Sequence, residues 1–532
     1  MRTHLAGALL LFAVCRVALG DNYSRQPGID AQHYIFRVTL SDDTDEISAQ
    51  CTAVLRFVQD GVTRVVLDLA GPKDGKGMTV SGVTIGAAPA RFTHTGDRLA
   101  ITLTDAPKSG DSREFTVTYR GVAANGLHMV KNKFGERAIF SWNWPTLARQ
   151  WLPVIDHPSD KATSEFLVTA PARYQVVANG LLVEQIDLEG GRRLTHWKQS
   201  VPIATWLNNI GVAQFASRTF GAAAGVPLQT WVFPKDRENG IVTFDEPLRQ
   251  SVEFFSSHIG PYPYEKLAAV EAAQMGGAME HASAIFFSER SVANRPAFGL
   301  VAHEVSHQWW GDSVTEKNWD DAWLSEGFAT YFAALATEHY QGHEAFLAAI
   351  QRSRENIFGM QKRTPNVAVV HDNLPEIQNG RAPVGIVYQK GGWTLHMLRC
   401  VIGTEKFWQG MREYYRRYRD ANASTDDLRQ VVEEISGTDL GWFFRQWLLR
   451  AGSPSIEWSS RYDSATKKVE LNMTQTQSGE PYRLPMEVSL GGRIEKIELT
   501  GRAQSFVFAA DAEPAALDLD PNTCVLMESK RK

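Results

Sequence analysis

At 532 residues, with 43% hydrophobic and 22% charged residues, the chain is too long for one core and too balanced in composition to be disordered or fibrous. A formal net charge of -5 and a pI near 6.3 provide no basic surface, so neither nucleic acid nor an anionic membrane surface is an expected partner. Length alone suggests about three or four domains.

Residues 1–20 combine a basic start at Arg2, an apolar run from Leu5 to Val14 and the small-x-small ending Ala18-Leu19-Gly20. That is the pattern of a secretory signal, and the run is too short to span a bilayer. Cleavage near Asp21 is expected, giving an exported chain, periplasmic or extracellular, with no stable membrane span after the signal is removed. The alternative is an uncleaved anchor, against which Arg16 interrupts the apolar region. Cys15 would leave with the signal. Cys51, Cys400 and Cys524 remain, enough for one disulfide at most, and their spacing leaves open whether any forms.

From residue 21 to 216 the hydrophobic period is two. Tyr34, Phe36, Val38 and Leu40 alternate with other residues, as do Cys51, Ala53, Leu55 and Phe57, then Leu99, Ile101 and Leu103, then Phe115, Val117 and Tyr119. This predicts an N-terminal all-β domain. From 217 to 452 the period becomes mainly helical. Asp245-Glu246-Pro247 opens a segment carrying Leu248, Val252 and Phe255, and another segment follows Ser424 with Asp426 and Asp427 in its first turn and Gly437 just past its end. After Gly452-Ser453-Pro454, alternation returns at Val469, Leu471 and Met473 and at Met486, Val488 and Leu490, which predicts a small β-sandwich over 453–532. The expected fold class is multidomain α+β.

The chemistry concentrates between Val301 and Glu326. His303-Glu304-x-x-His307 puts two imidazoles one turn apart on one helix face, where both reach one ion. Glu304 stands beside that ion without binding it, as a general base. A bare motif of this kind also arises by chance in a long chain. Glu326, after eighteen intervening residues, supplies a third ligand if Gly311-Asp312 stops the first helix and Asp320-Asp321 starts a second that packs back on it. Two imidazoles and one carboxylate leave one position of a zinc ion open, as catalytic zinc requires. One zinc ion per chain is expected, with His303, His307 and Glu326 as ligands.

Three segments, Gly277-Ala278-Met279-Glu280-His281, the zinc motif with Trp323-Leu324-Ser325-Glu326-Gly327-Phe328-Ala329, and Val387-Tyr388-Gln389-Lys390-Gly391, together resemble the gluzincin aminopeptidases, the family of aminopeptidase N. The resemblance implies a central thermolysin-like, mainly helical catalytic domain and peptide substrates with a free N-terminus. It also implies that Gly277, Ala278, Met279 and Glu280 bind substrate, with Glu280 on the α-ammonium and Glu326 assisting, and that Tyr388 stabilises the oxyanion. The chain looks like a short form without the long helical C-terminal domain of many relatives. It departs from the family at two points. His281 replaces an asparagine, and by spacing Trp144 stands where relatives place a glutamine near the amine; both Trp142 and Trp144 could instead be core. These departures keep two other functions in view, a zinc endopeptidase or broader hydrolase and a catalytically inert peptide-binding protein.

Overall fold

The computed structural model describes residue 21 and residues 23–378 and 384–532; the expected signal at 1–20 lies outside them. The N-terminal part is built of strands. At its centre Ile29–Thr39 pairs antiparallel with Ile47–Phe57 and parallel with Lys161–Pro171, within an eight-stranded sheet. The period of two does what strand geometry requires: Tyr34, Phe36 and Val38 face the core together with Cys51, Ala53, Leu55 and Phe57.

A five-stranded sheet opens the middle part. Its strand Leu267–Ala272 is buried along its whole length between two parallel neighbours, Val226–Val232 and Ala284–Ser288, and Ala278–Met279 forms the edge. The helices follow: α1 (Glu246–His258), α2 (Phe298–His307), α3 (Trp323–Gln341), α4 (His343–Arg363), α5 (Val384–Ile402), α6 (Thr404–Tyr418), α7 (Thr425–Ser436) and α8 (Gly441–Leu448). The ends of α7 follow from sequence: Ser424 and Asp427 form a reciprocal capping box, and Gly437 closes the helix at a φ of 68°.

The link between α2 and α3 differs from the expectation. Helix α2 ends at His307, before Gly311, and a short strand, Val314–Glu316, pairs with Ala421–Ala423. Asp320 and Asp321 lie in a 3-10 turn ahead of α3, capped by the Asn318 side chain, which accepts from the Asp320 N–H at 3.0 Å. Asp321 instead accepts a hydrogen bond from the Thr425 hydroxyl at 2.6 Å. Asp321 therefore anchors the link to the start of α7, and neither acidic residue forms the first turn of α3.

C-terminal to α8 lie a four-stranded and a three-stranded sheet, burying Val469, Leu471 and Met473 and Met486, Val488 and Leu499. This β region is fastened to α5 at three heights. Lys390 Nζ donates to the carbonyls of Arg450 (3.0 Å) and Gly452 (2.8 Å), His396 Nε2 bonds the Thr523 carbonyl (2.9 Å), and Cys400 is disulfide-bonded to Cys524. Cys51 is a free thiol in the β core.

Candidate metal centre and active-site cleft

Helices α2 and α3 bring the three expected ligands together. The Nε2 atoms of His303 and His307 are 3.2 Å apart, and Glu326 Oε2 lies 3.5 Å from the first and 3.3 Å from the second. Four ligands in a tetrahedron at about 2.0–2.1 Å from zinc stand about 3.3–3.4 Å from one another, so this triangle is one face of such a site. Glu326 divides its oxygens accordingly. Its Oε1 accepts from the Tyr388 hydroxyl at 2.5 Å, while Oε2, buried and aimed at the two imidazoles, has no hydrogen-bond donor among the described residues. A buried carboxylate oxygen without a donor is costly unless a cation meets it, and the donor set suits zinc.

The His307 ring is fixed from behind. Its Nδ1 lies 3.1 Å from the Trp310 carbonyl and 3.0 Å from the Ser325 hydroxyl, and donation to that carbonyl leaves the Nε2 lone pair pointing at the metal position. Gly311 makes this possible. It sits at a φ of 106°, and a Cβ there would run into the Ser325 side chain.

Glu304 is buried, lines the same cleft and takes no side-chain hydrogen bond among the described residues. Burial, then the nearby Glu280 carboxylate, push its pKa well above the ordinary value. Glu280 is pushed up to about 7, chiefly by burial. Ligand atoms of Glu280, Glu304 and His307 all fall within 4.8 Å of one another, so two buried carboxylates crowd the His307 imidazole, whose other face meets the buried carboxylate of Glu326. That concentration of negative charge in a poorly solvated place calls for positive charge from a metal and from substrate.

Tyr388 reaches the centre from α5, and its ring lies parallel to that of His303 with centroids 6.1 Å apart. Two glycines allow this approach. A Cβ on Gly327 of α3 would sit 2.8 Å from the Gly391 backbone of α5, so the helices cross with their backbones in contact, next to Glu326 on one and Tyr388 on the other. The sequence carried this signal as a glycine one residue after Glu326 and another three residues after Tyr388, each unfavourable inside a helix unless packing requires it.

A second support, not anticipated from sequence, is Gln308. Its buried amide donates to the Glu280 carbonyl (2.9 Å) and to Asp312 (2.8 Å), and accepts from the Ser283 N–H (2.8 Å) and the Tyr262 hydroxyl (2.9 Å). The residue after His307 thus ties α2 to the strand segment that carries Glu280.

The cleft has a volume of about 740 Å³. Gly277, Ala278, Glu280, His303, Glu304, His307, Glu326 and Tyr388 all line it. Met279 does not: it is buried under the edge strand, opposite Phe286. Of the two tryptophans, the cleft wall is Trp142, while Trp144 packs edge-on against Trp319, 6.2 Å between centroids. His281 also lies outside the lining, buried against Phe286, with neither ring nitrogen partnered and its pKa pushed down to about 3 by burial.

A helix-borne two-histidine, one-carboxylate centre with a non-ligating glutamate beside it places the chain among the gluzincin-type metallopeptidases. The chain belongs to peptidase family M1: residues 30–207 match the Peptidase M1 N-terminal domain and residues 246–447 the Peptidase family M1 domain. It is 28% identical to glutamyl aminopeptidase of Mus musculus over 358 residues, covering 64% of this chain and 37% of that one. It is 24% identical to probable aminopeptidase 1 of Saccharolobus solfataricus over 462 residues, 82% and 57% of the two chains. The chain therefore spans between about a third and somewhat over half of the length of these relatives. Among solved structures, an M1 zinc metallopeptidase from Deinococcus radiodurans superposes with a TM-score of 0.68 at 26% identity, over 81% of this chain and 94% of that one. Zinc is the cofactor this family calls for, and the residues present fit it. No helix among the described residues is long and apolar enough to cross a membrane.

Proposed function

We propose that the chain is an exported, zinc-dependent aminopeptidase that removes N-terminal residues from peptides. The observation that carries this reading is the position of Glu280, whose carboxylate shares a 4.8 Å neighbourhood with Glu304 and His307. A substrate ammonium paired there sits one residue's length from a carbonyl at the metal position, which selects chain ends and rejects blocked or internal peptides. The Deinococcus radiodurans relative supports a peptide substrate, since a variant of it has been solved with a bound Tyr-Ser-Ala substrate. The Cys400–Cys524 disulfide supports export, because such bonds persist in oxidising compartments.

A zinc ion bound by His303, His307 and Glu326 would polarise the scissile carbonyl and the attacking water. Glu304, buried and without a competing hydrogen bond, takes the proton of that water and hands it to the leaving amine. Tyr388 donates its hydroxyl to the developing oxyanion. Glu280 sets the register, and Gly277 and Ala278 leave room beside it for substrate backbone.

The test is a panel of aminoacyl nitroanilides beside their N-acetylated counterparts, with and without a chelator. Cleavage of the free-amine set alone, abolished by chelation and restored by zinc, is expected. Equal cleavage of both sets would make the chain a broader zinc hydrolase, and cleavage of neither would leave a peptide-binding protein.

A further inference from the structure

The cleft is electrically lopsided. At the metal end it presents Glu280, Glu304 and Glu326; among its described lining residues Arg352 of α4 is the one lysine or arginine. Arg352 is exposed to the cleft and makes no hydrogen bond or ion pair with any described residue, whereas Arg354, two positions on, bonds Gln351 at 2.7 Å. An unpaired guanidinium in a cleft whose other charges are acidic is a ready partner for a planar anion.

Its helix forms a different wall of the cleft from the segment that carries Glu280. The Tyr331 and Phe346 rings, 6.4 Å apart, set the first turns of α4 against the early turns of α3, and Trp393 Nε1 of α5 donates to the Ile350 carbonyl at 3.3 Å. Helix α4 thus forms one wall of the cleft together with α3 and α5, and Arg352 is among the residues lining it. Glu280 approaches the metal from the sheet side, through Gly276–Met279, while α4 packs on α3 and α5. The two charges thus line the same cleft from different elements, Glu280 next to the edge strand and Arg352 on α4. A peptide whose ammonium is on Glu280 and whose first carbonyl is at the metal carries its terminal carboxylate about 7–10 Å further on when it is three or four residues long.

We propose that Arg352 binds the C-terminal carboxylate of the substrate, so that the enzyme selects short free peptides by gripping both ends; this rests on the aminopeptidase reading above. The leaving peptide, not the first side chain, meets the guanidinium. Charge pairing at that distance from the reacting atoms is made equally in ground and transition states, so its effect falls on KM.

The experiment compares the wild-type chain with Arg352→Ala and Arg352→Lys on Leu-Gly-Gly, its C-terminal amide, Leu-Gly-Asp amide, and the nitroanilides of Leu and Glu. Leu-nitroanilide gives each protein its reference rate. Wild type is expected to favour the free acid over the amide by about tenfold or more in kcat/KM, carried by KM. Arg352→Ala is expected to bring that ratio close to one, and Arg352→Lys to restore part of it. An acid-to-amide ratio that survives Arg352→Ala overturns the proposal while leaving the aminopeptidase reading intact. So does a loss confined to Glu-nitroanilide, which would assign Arg352 to the first side chain, or to Leu-Gly-Asp amide, which would assign it to an internal acidic residue. Failure of wild type to cleave either nitroanilide overturns the aminopeptidase reading, and this proposal with it.

Discussion

The floor of the cleft and its rim are built on opposite plans. On the floor, the polar groups that hold the metal position are themselves held: His307 by Trp310 and Ser325, Glu326 by Tyr388, and the Glu280 segment by Gln308. On the rim, Trp142 and Arg352 face the cleft with no side-chain hydrogen bond among the described residues, and Gly276 and Gly277 would admit a Cβ without meeting any atom within 4 Å. A reaction centre needs its groups placed to a fraction of an ångström, whereas a surface that selects substrates must stay able to meet different side chains.

The comparison breaks most directly at Glu304. Glu304→Gln keeps the shape of the floor and removes the proposed base, so turnover should fall by about a thousandfold while bound zinc, measured by elemental analysis, stays at one per chain. Near-normal turnover would show that the floor works by some other route. A second test targets the crossing of α3 and α5. In Gly327→Ala the new methyl must push the Gly391 backbone away, carrying Tyr388 off the centre. A loss of about a hundredfold in kcat with KM little changed is expected, since the missing interaction belongs to the transition state; an equal rise in KM would point to a collapsed cleft instead.

The third test asks whether the floor depends on a remote fastening. Cys400→Ser opens the bridge to Cys524 and should cost about 2–4 kcal/mol of stability, read as a lower denaturant midpoint, and reductant should do the same to wild type but nothing further to the variant. The smallest effect is expected on the rim. Trp142→Ala should lower kcat/KM about tenfold for substrates with an aromatic first residue and leave those beginning with Ala nearly untouched. A uniform loss across the panel would make Trp142 part of the floor.

The same contrast explains what could be read from the sequence. The convergence of His303 and His307 was legible because helix geometry makes a four-residue spacing into a shared face. The buried faces of Ile29–Thr39 and Ile47–Phe57 were legible because a period of two has one structural meaning. The path from His307 to Glu326 was less so: a stop at Gly311 and a start at Asp320 agree with local propensity, but the chain inserts a strand that pairs with residues a hundred positions away. Met279, expected among the substrate-binding residues, is buried away from the cleft for a related reason, while the core alternative left open for Trp144 is the one its packing on Trp319 fits. Neighbours in sequence alternate across an edge strand or a loop, so membership in a motif does not say which side chain faces the cleft. Gln308 and Arg352 left no signal, because neither belongs to a periodic pattern and each acquires meaning only from partners, or their absence, in three dimensions.

The three fastenings between α5 and the C-terminal sheets give that β region a part in the chemistry at a distance. Lys390 is two residues from Tyr388, and its ammonium, buried and with its pKa lowered to about 7 by that burial, is met by two carbonyls at the entrance to the C-terminal strands. Both carbonyls lie just before the first of those strands, which starts at Ser455, so the segment leading into the β region is what receives the buried Lys390 amine. The C-terminal region thus braces α5 from the side away from the cleft, at Lys390, His396 and Cys400, so the helix that carries Tyr388 is held by residues remote from Glu326.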